Sequence, residues 1–143
     1  MKTFVVVPTI RENSILRFLN EWKKNFEKHK VNLIIVEDNS EKTFDIKTNN
    51  YKFKIFHYSW EDIDRALSRD SWIIPRRTSA IKSYGFWKAY KMNADIIVAL
   101  DDDCYPIENY IKNFISMFGL RQENSKNVWT YRNYKIDWNR IYD

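Results

Sequence analysis

ADIIVALDDDCYP, residues 94 to 106, joins an apolar run to three consecutive aspartates. Its first half has the continuously apolar character of a strand covered on both faces. Its second half sets like charges side by side where that strand should end, which costs free energy unless something neutralises them. Working outward, FVVV at 4 to 7 and LIIV at 33 to 36 are apolar in the same two-sided way. FKIF at 53 to 56 alternates instead and suits a position near a sheet edge.

Helical patterns lie between these runs. Ile15, Leu19, Trp22 and Phe26 form one apolar stripe, with Asn13 or Ser14 expected as its cap. Ile63 and Leu67 mark a shorter helix, in which Ser59 and Asp62 are spaced as a capping box. A third helix is expected from about Thr78 to Met92, where Gly85 in the interior costs about 1 kcal/mol relative to Ala and so points to close packing. A fourth is expected over Ile107 to Phe118, between Pro106 and Gly119, and a further strand near VWTYR at 128 to 132. Alternation of strand and helix specifies an α/β fold, a mostly parallel sheet with right-handed crossovers and helices on both faces.

The 143 residues suit one domain, 1–143, with a single core. Apolar residues at 44% and charged residues at 30% make a globular composition. No stretch approaches the roughly 18 to 20 apolar residues of a membrane span, and MKTFVVVPTI is too short and strand-like for a secretory signal, so a cytoplasmic location is expected. A single cysteine, Cys104, excludes an internal disulfide, and no Cys/His spacing suits zinc. The net charge of +5 is spread along the chain, which favours an anionic small molecule and marks no nucleic-acid groove.

In a parallel sheet, ligands bind beyond the carboxyl ends of the strands. Three strand ends are polar here: Pro8, Thr9 and Arg11; Glu37, Asp38 and Asn39; and Asp101, Asp102 and Asp103. A helix cap accounts for one aspartate, since Asp suits a helix start, but accounts poorly for three. Mg²⁺ or Mn²⁺, held by one or two carboxylates together with substrate phosphates, accounts for the group. Only Gly85 and Gly119 are present, so there is neither a GxGxxG turn nor a P-loop to cradle a diphosphate with backbone amides. The expectation is a cation on Asp101 to Asp103, helped by basic side chains such as Arg11, Arg76, Arg77 and Lys82. His29 and His57 have no ligand cluster near them in sequence, and Cys104 has no adjacent base, so all three read as structural.

The order PTIR (8 to 11), LIIVED (33 to 38), DIDR (62 to 65), SAIKSYGF (79 to 86), DDDC (101 to 104) and IENYIKNF (107 to 114) resembles the reversibly glycosylated polypeptides, the UDP-arabinopyranose mutases, which belong with the glycosyltransferases of the GT-A fold. The resemblance covers about residues 3 to 118. It implies a UDP-sugar site with a manganese- or magnesium-dependent DxD motif. Asp101 would meet the ribose or the metal and Asp103 the metal, with Asp102 beside them on the nucleotide. Asp38 and the turn of Pro8, Thr9 and Arg11 would contact the uridine, and Lys82 would reach the diphosphate. Family members are longer, and the resemblance puts their glycosylated arginine beyond the residues matched here, so no catalytic nucleophile is assigned; 1–143 is expected to be a single nucleotide-sugar-binding GT-A-like domain, either by itself or as the N-terminal, donor-binding part of a longer family fold.

Three functions fit these features. A nucleotide-sugar enzyme, mutase or glycosyltransferase, is favoured by the strand-end clusters. A non-catalytic nucleotide-sugar-binding module or subunit is the alternative. A phosphoryl-transfer enzyme is disfavoured, because Tyr105 stands where a DxDxT motif needs Thr. The aromatics Trp129, Tyr131, Tyr134 and Trp138 suggest an interface, hence a homo-oligomer.

Overall fold

The computed structural model describes residues 1–106 and the backbones of two strands, 128–131 and 134–137. The chain divides into two units, Met1–Ile107 and Glu108–Asp143. In the second, β5 (Val128–Tyr131) pairs antiparallel with β6 (Tyr134–Asp137), Trp129 facing Ile136 across the ladder. The strand expected near VWTYR is therefore present. The helix expected over 107 to 118, and the side chains behind the expected interface, lie outside the described residues.

The first unit runs β1 (Thr3–Thr9), α1 (Glu12–His29), β2 (Asn32–Glu37), β3 (Ile55–Tyr58), α2 (Trp60–Leu67), α3 (Lys82–Lys91) and β4 (Ile96–Ala99), with short 3₁₀ turns at Thr48–Asn50, Ser68–Ile73 and Ser79–Ile81. The four strands are parallel in the order β3-β2-β1-β4, an α/β, Rossmann-like arrangement. Every residue of β1 is buried, as a central strand covered on both faces requires.

Strand side chains alternate between the two faces. On one, Phe4, Val6, Ile34 and Val36 pack with Ile63 of α2 and with Tyr84 and Ala89 of α3. On the other lie Val5, Val7, Leu33 and Ile35, and the buried stripe of α1 supplies Ile15, Phe18, Leu19, Trp22 and Phe26. Trp22 stacks on Phe26 at 5.3 Å between ring centroids. Gly85 is buried where α3 meets the sheet, and a Cβ there would stand 2.4 Å from Val6 Cγ1 and 3.1 Å from Val36 Cγ2. Close packing, as the sequence suggested, is what the glycine permits.

Three boundaries differ from the sequence reading. α1 starts at Glu12, with Arg11 rather than Asn13 or Ser14 at the cap position; the Arg11 amide donates instead to Thr9 Oγ1 at 3.3 Å. β3 is displaced two residues beyond FKIF, because Phe53 turns inward to meet Phe26 edge-on at 5.4 Å. The third helix is divided: Thr78 caps the Ser79–Ile81 turn and α3 proper begins at Lys82. The capping box of α2 forms as read, the Ser59 amide donating to Asp62 Oδ2 at 2.9 Å.

Candidate functional site

The chain leaves β1 toward β2 on one side and returns as β4 on the other, so β1 is the topological switch point, where parallel sheets form their crevice. Pro8 helps to open it. The Val6 carbonyl accepts from the Leu100 amide on the β4 side, and the Thr9 carbonyl from the Asp38 amide on the β2 side. By that alternation the N–H that Pro8 lacks would face β4, beyond Val6↔Ala99 where that ladder ends, so no sheet bond is lost. A cavity of about 810 Å³ lies at this edge. Pro8–Arg11, Asp38–Ser40 and Asp101–Asp103 line it from the three strand ends, joined by Trp60 and by Arg77–Ser79.

The aspartates divide by direction. Asp102 is buried, 7% exposed, and its Oδ2 accepts a 2.6 Å hydrogen bond from the equally buried Thr9 hydroxyl, 93 residues away. The Arg11 guanidinium stands 3.6 Å from its other oxygen. Asp102 thus fastens the end of β1 to the turn after β4. Asp101 and Asp103 are exposed on either side, and Lys82 Nζ lies 3.3 Å from Asp101 Oδ1. A turn closed by the Cys104 amide on the Asp101 carbonyl, at 3.0 Å, sets this alternation, and Trp22 Nε1 secures it by donating to the Cys104 carbonyl at 2.8 Å. The middle carboxylate is neutralised within the protein; the outer two face the cavity mouth. Among the described residues, no three His, Cys, Asp or Glu side chains converge on a common metal position.

Glu37 and Asp38, adjacent at the end of β2, point to opposite tasks. Glu37 is fully buried. It accepts from the Asn39 side chain at 2.8 Å, from the Thr43 amide and hydroxyl at 2.9 and 2.5 Å, and from His57 Nε2 at 2.8 Å. These bonds shape the loop after β2, including the cavity-lining Asn39 and Ser40. Burial holds the His57 imidazole below its ordinary value, against the opposing pull of Glu37, and the ring stacks on Phe44 at 4.9 Å. Asp38 faces the cavity but is engaged by the protein: Oδ1 accepts from Trp60 Nε1 at 2.8 Å and the Arg77 amide at 2.9 Å, Oδ2 from the Thr78 amide at 2.9 Å.

Over residues 2–128 the sequence matches the reversibly glycosylated polypeptide family. The chain belongs to that family. No curated protein matches it. Membership of the reversibly glycosylated polypeptides, together with the Rossmann-like sheet, supports a UDP-arabinopyranose mutase-like, glycosyltransferase-related function. Among the described residues no helix is long and apolar enough to cross a membrane.

Of the residues singled out in the sequence, Pro8, Thr9, Arg11, Asp38, Asp101, Asp102 and Asp103 line one cavity, and Lys82 joins them through Asp101. Arg76 does not: it pairs with Asp64 and lies 5.2 Å over the Trp60 ring. Sequence reasoning missed Trp60 and Ser40 as wall residues and Glu37 as the loop's internal support; His57, read as structural, is the partner of Glu37 in that support. The signal for Trp60 was its place at the first turn after β3, a strand end like the other three.

Proposed function

We propose that the cavity binds the nucleotide diphosphate portion of a UDP-sugar, with a divalent cation, Mn²⁺ or Mg²⁺, between Asp101, Asp103 and the phosphates. The observation that supports this is the charge of the wall. Four acidic residues, Asp38, Asp101, Asp102 and Asp103, line the cavity against three basic ones, Arg11 and Arg77 on the wall and Lys82 at Asp101. An anionic ligand alone would meet a surplus of negative charge; one bearing a dication would not. Two exposed carboxylates with oxygen ligands only are a fitting donor set for a cation completed by water and phosphate. A volume of about 810 Å³ is also of the size that small-molecule sites occupy.

When bound, the cation supplies Lewis acidity to the diphosphate as negative charge develops on it. The chain's own residues prepare that position. The Thr9 to Asp102 hydrogen bond fixes the spacing between the β1 and β4 ends, so the outer aspartates are held without reorganisation. Lys82, kept at Asp101, offers an ammonium to a phosphate oxygen. The turn of Pro8, Thr9 and Arg11 approaches the nucleoside. Departure of UDP from the anomeric carbon is common to ring interconversion and to transfer, and a mutase outcome follows where the sugar is recaptured in its other ring form.

Calorimetry tests the reading directly. UDP should bind at least about tenfold more tightly with Mn²⁺ than with EDTA, and more tightly than GDP or ADP under the same conditions. Asp103→Ala should remove the dependence on cation while leaving the thermal midpoint unchanged, because the side chain is exposed and outside the core. Equal UDP affinity with and without the cation would sink the metal assignment. Interconversion of UDP-arabinopyranose and its furanose form, followed by chromatography, separates an enzyme from a binding module.

A further inference from the structure

We propose that Asp38 is a positioning residue, whose carboxylate clamps the turn at residues 76–78 so that Arg77 remains on the cavity wall as the cation that receives a ligand phosphate. This rests on the UDP-sugar reading for the ligand, but the clamp itself is a matter of geometry. Both Asp38 oxygens are occupied by donors of the protein, from the Trp60 indole and from the consecutive amides of Arg77 and Thr78. Arg77 has φ 58°, in the left-handed region that is unfavourable for a side-chain-bearing residue. Two consecutive amides directed at one carboxylate are what hold it there.

The turn separates two adjacent arginines. Arg76 is drawn onto Trp60 and Asp64. Arg77 lines the cavity. The other basic groups at the site are already engaged, Arg11 with Asp102 and Lys82 with Asp101. Among the described residues no carboxylate lies within ion-pair distance of the Arg77 side chain, so its charge, unlike that of Lys82, reaches a ligand without sharing a carboxylate of the protein. A guanidinium matches phosphate oxygens with paired donors, which a neutral base or ribose does not require.

The test is calorimetry with UDP, uridine and inorganic pyrophosphate, each with Mg²⁺, on the wild type, Arg77→Ala, Asp38→Asn and the double variant. Arg77→Ala should weaken UDP and pyrophosphate about tenfold or more and uridine by less than about twofold. Asp38→Asn should show the same selectivity, since an amide cannot accept at both positions, and the double variant should be no weaker than Arg77→Ala alone. Arg77→Lys should recover part of the loss. If Asp38→Asn weakens uridine as much as UDP, or if the two losses add, Asp38 touches the ligand itself and the proposal falls. If Asp38→Asn fails to fold, Arg77→Gly replaces it: relief of the left-handed backbone should raise urea stability while phosphate binding drops as in Arg77→Ala, and unchanged stability would remove the clamp. Should uridine not bind while pyrophosphate binding depends on both Arg77 and Asp38 without their losses adding, the clamp stands and the uridine reading fails; pyrophosphate binding indifferent to either residue overturns the clamp.

Discussion

Glu37→Ala should cost about 3 to 5 kcal/mol of folding stability, as several buried donors left unsatisfied at about 1 to 3 kcal/mol each imply, measured as a shift in urea midpoint, out of a total of about 5 to 15 kcal/mol for a domain of this kind. The carboxylate is fully buried and is the common acceptor for His57, Thr43 and Asn39. Its removal leaves several donors with no partner and with little access to water. Glu37→Gln should recover much of the loss, since Oε1 survives as acceptor for Thr43 and Asn39 while the new amide donates to His57 in its other tautomer. Equal destabilisation by Ala and Gln would mean that charge, and not hydrogen bonding, holds the loop.

The same cluster sets a pH dependence. His57 is held neutral by burial, its folded value lying below that of the unfolded chain, with Glu37, Lys42 and Asp62 the charged groups that act on it. Above about pH 6.5 both states are neutral and the full stability is present. As pH falls below that value the unfolded chain takes up the proton first, so stability declines with acidification. His57→Gln, which keeps a donor to Glu37, should flatten the urea midpoint between about pH 6.5 and 5, above the carboxylate range.

Gly85→Val should abolish cooperative folding, and Gly85→Ala should destabilise by about 1 to 3 kcal/mol despite a helix propensity gain of about 1 kcal/mol. The contact decides the sign. A Cβ at 85 would stand 2.4 Å from a methyl of Val6, a fully buried residue of the central strand, with Val36 and Ile34 behind it at 3.1 and 3.3 Å. Neither α3 nor the sheet can withdraw without opening the core between them. Val6→Ala alone creates a cavity, but combined with Gly85→Ala it should recover part of the stability, a coupling readable by a double-mutant cycle. Strict additivity would show that α3 simply shifts.

The layers of this fold were legible because their signals are local. Continuous apolar runs marked β1, β2 and β4, and the stripe of Ile15, Leu19, Trp22 and Phe26 marked α1. β3 was misplaced by two residues because Phe53 looks like a strand residue, yet its ring is claimed by Phe26 on a distant helix. The site was legible as three strand ends and not as a set of bonds. Thr9 and Asp102 are 93 residues apart and Glu37 and His57 are 20 apart, so neither pair leaves a spacing to read. Asp38 shows the limit most plainly. Its type and position suggest a ligand contact, while its two oxygens are committed to Trp60, Arg77 and Thr78 by a loop whose course no periodicity encodes.

The switch point at β1 also has a consequence in time. β2 pairs with β1, and β3 with β2, over short stretches of chain, but β4 joins β1 only by closing a loop of some ninety residues, from Thr3 to Ile96 and from Thr9 to Asp102. Contacts of such long range form late, after nearer ones have repaid part of the chain entropy. A nascent or refolding chain is therefore expected to hold β3-β2-β1 as a core before it owns an acidic edge, and competence to bind arrives with the docking of one four-residue strand. In pulsed hydrogen exchange, the Leu33 to Val36 amides should gain protection before those of Ile96 to Leu100. The rate at which the molecule becomes functional is then the rate of its last strand, and a loosening of β4 would silence the site while leaving most of the fold standing.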